Sequence, residues 1–156
     1  MRDEHPVLGV IRASEKNPNG VEAEVLFSGR SIPLRIDPDD QSLDDAIAFA
    51  SEVVTSLTRL ESESMQIAVR DLCPTYNNGW NEFDEVQADG STKTVRNPQL
   101  SNEEFRSKLT LSEIGITGNE CIEFWYDDSN LFWGHGVLVS ALDRLDLTNA
   151  RGELFG

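Results

Sequence analysis

The stretch Trp125-Tyr126-Asp127-Asp128-Ser129-Asn130-Leu131-Phe132-Trp133-Gly134-His135-Gly136 gathers residue types that chemistry uses: four aromatic rings, two adjacent carboxylates and one of the chain's two histidines. A histidine beside a carboxylate can act as a general base when the two groups approach to about 3 Å. Glycines on both sides of His135 let backbone or a ligand come close. The same residues also have a structural use. Asp127 to Asn130 is turn chemistry, because Asp and Asn side chains bond their own backbone, while the rings can pack and the histidine can hold a carbonyl. Trp80, with Tyr76 and Asn77 at a helix exit, could wall a pocket with Trp133 and His135, or could cover the edge of the core. The candidate contact residues are therefore Trp80, Tyr126, Asp127, Asp128, Trp133 and His135, and no catalytic residue is assigned.

Other chemistries find less support. His5, Cys73, Cys121 and His135 are zinc-ligand types, but no pair has the two-to-four-residue spacing of a local metal site, so no metal is expected. The acids between Asp37 and Asp45 lack the alternating pattern of a calcium loop. The glycines build no phosphate cradle and the serines no nucleophile elbow, and no cofactor is expected. With 28 acidic against 13 basic residues, the net charge of -15 repels phosphate backbones and anionic lipids. Nucleic-acid and membrane-surface binding are thus disfavoured, and a basic protein partner fits. Asp37, Asp39, Asp40, Asp44 and Asp45 would supply an acidic face for it, although the same charge could serve solubility or life in salt. There is no apolar run of about 18 residues, the first residues carry acids rather than a signal-like segment, and the two cysteines stand far apart. A cytoplasmic protein is expected, and the oligomeric state is left open.

These side chains need a scaffold. Val7 to Ile11, Val21 to Phe27 and Ser31 to Ile36 read as a three-stranded antiparallel meander, in which Pro33 places the last strand at an edge or points its missing N–H outward. Leu43, Ala46, Ile47, Ala50, Val53, Val54, Leu57 and Leu60 recur at helical spacing behind a Ser42 cap. Glu61 to Ser64 reads as a break, and Met65 to Leu72 as a second helix that Pro74 kinks or stops. Residues 81–100 read as a long loop. Ser101 and Glu104 form a capping box for a short helix. Strands come next near Leu111 to Ile116, Cys121 to Tyr126, Gly136 to Leu142 and Leu147 to Leu154. The expectation is one α+β domain over residues 1–156: a mostly antiparallel sheet of a three-stranded and a four-stranded meander, with two or three helices on one face.

The order Leu72, Tyr76-Asn77, Trp80, Phe105, Leu109-Thr110-Leu111, Ile114, Tyr126-Asp127-Asp128 and Leu131-Phe132-Trp133-Gly134-His135, closing on Gly156, resembles a bacterial domain family of unknown function. The resemblance runs from Leu43 to Gly156, and Phe-Trp-Gly-His is its most distinctive part. The chain departs from the family's pattern in the segment through Asp89-Gly90 and in Asp143 to Asp146, where a glycine turn is common. The resemblance implies a sheet-and-helix domain, sometimes encoded in neighbourhoods suggestive of toxin immunity, and it assigns no catalytic residue. Three functions are compatible with these residues: a non-enzymatic protein-interaction domain, including a toxin-neutralising one; a small-molecule-binding protein or hydrolase with a cleft near His135; and a structural or accessory domain.

Overall fold

Period-two alternation builds the centre of the molecule, and the computed structural model describes residues 4–156 of it. Strands β1 (Glu4–His5) and β2 (Gly9–Val10) pair with each other, and β3 (Arg12–Ala13) pairs with β4 (Val21–Phe27). Ser28 and Gly29, at φ +50° and +77°, supply the positive-φ pair that a two-residue hairpin turn needs before β5 (Arg30–Asp37). Ile32, Leu34 and Ile36 of β5 are buried on one face, and Ser31, Pro33 and Arg35 take the other. Strands β8 (Thr110–Thr117), β9 (Cys121–Asp127), β10 (Gly136–Ala141) and β11 (Arg151–Phe155) form the second meander. The two meanders are one sheet because β5 pairs in parallel with β8, Leu34 opposite Ile114 and Asp37 opposite Thr117. The order is β11-β10-β9-β8-β5-β4-β3, which makes the fold α+β and mostly antiparallel, as expected.

Helix α1 (Leu43–Thr55) packs on β5 and β8, α2 (Leu57–Thr75) on β10 and β11, and α3 (Asn102–Ser107) on α2. Ser42 Oγ accepts from the Asp45 N–H at 3.0 Å, and Ser101 and Glu104 cap each other reciprocally, each bond 3.1 Å.

Several expectations are corrected. The helical break falls at Ser56, and α2 runs straight through Glu61 to Ser64. Ser64 is fully buried there, yet its hydroxyl accepts from Tyr126 at 2.9 Å, so a polar residue fits a core position and needs no break. Residues 81–100 are not a loop: β6 (Glu82–Val86) and β7 (Thr92–Arg96) form a hairpin turning at Asp89-Gly90. Pro33 lies in an interior strand. The β5–β8 pairing begins only at Leu34, and the Arg30 guanidinium donates to the Leu111 carbonyl at 2.9 Å just before it, so that side of the ladder does not include Pro33. Of the first expected strand, Val7 to Ile11, only Gly9–Val10 is strand, and it pairs with β1 outside the main sheet, where β3 just after it joins β4 instead; the last expected strand starts at Arg151, after Leu147 and Ala150 have been buried in the preceding turn.

The β11 edge is covered by α2. Asp71 Oδ2 accepts from the Gly152 N–H at 2.8 Å, Arg70 donates to the Ala150 carbonyl at 3.2 Å, and a Cβ on Gly152 would lie 3.3 Å from Ala68 Cα. Glycine thus lets the helix sit close enough to cap the edge. Asp71→Ala is expected to lower stability by about 1–2 kcal/mol at neutral pH. The Arg70 hydrogen bond, together with the Gly152 N–H, holds the Asp71 carboxyl below its ordinary value, so its stabilisation is present above the unfolded carboxylate range. That stabilisation disappears as pH falls through the folded pKa. Urea unfolding of both proteins at neutral and strongly acidic pH checks this, and a difference that stays constant down to acid pH counts against it.

Candidate functional site

The loop between β9 and β10 is made by its carboxylates. Asp127 Oδ1 accepts from the Ser129 N–H at 3.0 Å, while Asp128 accepts from Asn130 N–H at 3.0 Å and Phe132 N–H at 2.9 Å. Asp128 is buried, so its charge is balanced by these amides. Ser129 and Asn130 take φ of +55° and +64°, which small polar residues tolerate. The chain then alternates in and out. Phe132 is fully buried against the rings of Tyr76, Trp80 and Phe105, at 5.9, 5.5 and 6.1 Å between centroids. Trp133 is 51% exposed at φ +56°, an uncommon conformation for so bulky a residue, and Gly134 comes next at +89°.

Trp80 arrives from the other side of the sequence. After Pro74 in its last turn, α2 passes into one π turn, Tyr76–Trp80, closed by an Asn81 N–H to Tyr76 carbonyl bond of 3.1 Å. Gly79, at φ +142°, permits the exit. Two asparagines pin the chain on either side of the hairpin. The Asn77 amide donates to the Leu100 carbonyl at 2.9 Å and accepts from the Leu100 N–H at 2.8 Å. Asn81, buried, donates to the Asn97 carbonyl at 3.0 Å, and the Asn97 N–H returns a bond to the Asn81 carbonyl at 2.7 Å. The root of the β6–β7 hairpin is thereby fixed, and Phe83 is brought to 6.0 Å from Trp133.

Trp80, Trp133 and His135 come together: Trp80 lies 6.2 Å from Trp133 and 5.1 Å from His135. The other candidates do something else. Asp127 and Asp128 shape the loop and do not bond His135. Tyr126 turns into the core, where burial raises its phenol far above the ordinary value and its hydroxyl bonds Ser64. His135 Nδ1 lies 2.9 Å from the Phe132 carbonyl, which can only accept, so Nδ1 is the donor of that bond. Among the described residues no carboxylate bonds the ring, and Asp127 and Asp128 do not assemble with it into the histidine–carboxylate base considered from sequence. Among the described residues no cluster of His, Cys, Asp and Glu is placed to hold a metal.

The Asp37–Asp45 acids belong to a different place. Asp37 pairs with Thr117 at one end of β8, whereas Asp127 pairs with Thr110 at the other, roughly 23 Å away at 3.3 Å per residue. Asp39, Asp40, Asp44 and Asp45 are exposed there, and Asp37 is half-buried and accepts from the Asp39 N–H. Burial, with the nearby charges of Glu120, Asp39 and Glu123 as the lesser causes, pushes the Cys121 thiol up. The molecule therefore has an acidic end and an aromatic end.

Phe83 and the Asn77 and Asn81 clamps do not stand out together in the sequence. The signal for the hairpin is present, because Asp89-Gly90 lies between two segments rich in Val, Thr and Phe. No curated protein and no solved structure matches the chain. A model of the family described as an uncharacterized protein conserved in bacteria, DUF2262, matches residues 5–151, nearly the whole chain and more than the stretch from Leu43 on which the resemblance rested. The chain belongs to that bacterial family.

Proposed function

We propose that the protein is a non-catalytic interaction domain that engages a basic protein partner through the ledge centred on Trp133. The observation that carries this reading is the half-exposed Trp133 in a positive-φ backbone, held outward while its neighbour Phe132 anchors the loop. Backbone of that kind persists only where the surroundings over-determine it, and exposed tryptophans on rigid supports are the residues that dominate interfaces. The acidic end does a different job: at a distance from the ledge, its field speeds and orients the approach of a cationic partner. A basic toxin held inactive by this domain is the specific form we favour. His135 without a carboxylate favours no hydrolase reading.

The test is affinity capture from a lysate of the source organism at two salt concentrations, with the wild type, Trp133→Ala, and a variant in which Asp37, Asp39, Asp40, Asp44 and Asp45 become Asn. One basic protein in stoichiometric yield is expected with the wild type. Trp133→Ala should lose it, and the five-Asn variant should capture it more weakly and with less salt dependence. Capture unaffected by Trp133→Ala and insensitive to salt would leave the ledge without a role and favour a structural or accessory domain.

A further inference from the structure

Five side-chain carboxamides gather around one depression at the root of the β6–β7 hairpin. Asn77 and Asn78 come from the π turn, Asn81 from its exit, and Asn97 and Gln99 from the chain leaving β7; together they line a cavity of about 510 Å³. That volume lies within the range of small-molecule sites. Single π turns at the end of or within α-helices recur at functional sites.

The floor of the cavity holds an acceptor that the fold leaves open. Asn81 is 4% exposed, and its amide nitrogen donates to the Asn97 carbonyl, which can only accept. The orientation of the amide is thereby fixed, with Oδ1 on the other side. That oxygen accepts no hydrogen bond from the described residues, yet it is not sealed from the surface, and the cavity is the opening beside it. A polar atom so placed is satisfied by what enters the cavity, water or ligand. At the rim, the exposed Asn78 and Asn97 side chains make no hydrogen bond to the described residues.

Electrostatics narrow the ligand. The two charged residues of the lining, Glu82 and Arg96, bridge each other, so the cavity carries no unpaired charge although the chain carries -15. An anion would meet the negative field of the whole molecule, and a cation would have to break that bridge. No aromatic ring lines the cavity, which removes the stacking platform a nucleobase uses. What fits is a neutral ligand dense in groups that both donate and accept. A carboxamide presents two donors and an oxygen with two lone pairs, a hydroxyl one donor and two lone pairs, and the two match without charge on either side.

We infer that this cavity binds a sugar, with Asn81 Oδ1 accepting from a ring hydroxyl at the floor and Asn78 and Asn97 bonding further hydroxyls at the rim. The site is separate from the Trp133 ledge, and neither reading depends on the other.

The experiment adds sugars to the isotope-labelled full chain and follows backbone and carboxamide signals by nuclear magnetic resonance. The probes are glucose, galactose, mannose, N-acetylglucosamine and ribose, each free and as its methyl glycoside, with cyclohexanol as a ring bearing a single hydroxyl. At least one sugar should move the carboxamide signals of Asn78, Asn81 and Asn97 and saturate with a dissociation constant on the order of 1 mM, as a few neutral hydrogen bonds give. Asn78→Ala and Asn97→Ala remove side chains that hold nothing in the fold, and each should weaken binding about three- to tenfold. Cyclohexanol should not bind. A free sugar that binds while its methyl glycoside does not assigns the site to a free monosaccharide; binding kept by the glycoside assigns it to the end of a glycan. No saturating shift with any sugar, shifts confined to residues outside the cavity, equal binding of cyclohexanol, or an affinity that neither variant lowers overturns the inference. A failed sugar titration beside partner capture that is still lost with Trp133→Ala sinks the sugar site alone.

Discussion

Phe132→Ala should lower the unfolding free energy by about 3–5 kcal/mol, the range for a large aromatic removed from a core that cannot collapse around the gap. The ring is fully buried, and Tyr76 and Trp80 from the π turn and Phe105 from α3 stand edge-on around it. The cavity would lie directly beneath the ledge. Trp133 and His135 would lose their anchor along with the loop, because the Phe132 N–H is bonded by Asp128 and its carbonyl by both the backbone N–H and Nδ1 of His135. Urea unfolding gives the stability change, and near-ultraviolet circular dichroism reports the tryptophan surroundings. A loss below about 1 kcal/mol with an unchanged aromatic spectrum would show that Phe132 is not the keystone of the site.

The second large effect belongs to Asn77→Ala. Its amide closes a two-way bond with the Leu100 main chain and also donates to the buried Cys73 sulfur at 3.7 Å. Truncation leaves the part-buried Leu100 N–H without its partner and its carbonyl with only the weak Cys73 thiol donor at 3.6 Å, expected to cost about 1–3 kcal/mol. Its consequence should be local as well as global: hydrogen exchange at Leu100 and across the hairpin root should quicken, while the amides of β9 change only with overall stability. Asn77→Asp separates geometry from size. It keeps an acceptor for the Leu100 N–H but sets a carboxylate oxygen against the Leu100 carbonyl, so it should destabilise nearly as much as alanine. An aspartate that behaves like the wild type would show that the donated bond carries nothing.

The fold is largely legible in the sequence because its strong signals are local. The alternation in Val21 to Phe27 and Ser31 to Ile36, the helical spacing from Leu43 and the Ser101–Glu104 box each arise from a single segment's periodicity or capping chemistry. The pairing of segments with one another is not local and cannot be read that way. Nothing within β5 says that its free side will meet β8, so Pro33 suggests an edge. Glu61 to Ser64 resembles a break because the partner of Ser64 is Tyr126, 62 residues further on. The hairpin at residues 82–96 escapes for a different reason. Its strands are charged on both faces, with only Phe83 and Val95 packing inward, and they do not outweigh the polar background despite the Asp-Gly turn. At the site, sequence singles out the residue types that meet, Trp80, Trp133 and His135. It cannot separate them from Tyr126, one residue before the loop, whose side chain faces the opposite way because strand side chains alternate.

The parallel junction between β5 and β8 also governs how the chain is made. During synthesis the first meander emerges early, but the strand that completes it arrives only after roughly seventy further residues, which take on the order of 4–15 s at cellular elongation rates. Through that interval the nascent meander presents one open flank bearing Ile32, Leu34 and Ile36. Pro33 and Arg35, alternating with them, interrupt the flank with a missing amide and a charge, the two devices that discourage neighbouring nascent chains from docking as strands. The proline that looks out of place in an interior strand thus acts as a gatekeeper for the interval before that strand becomes interior.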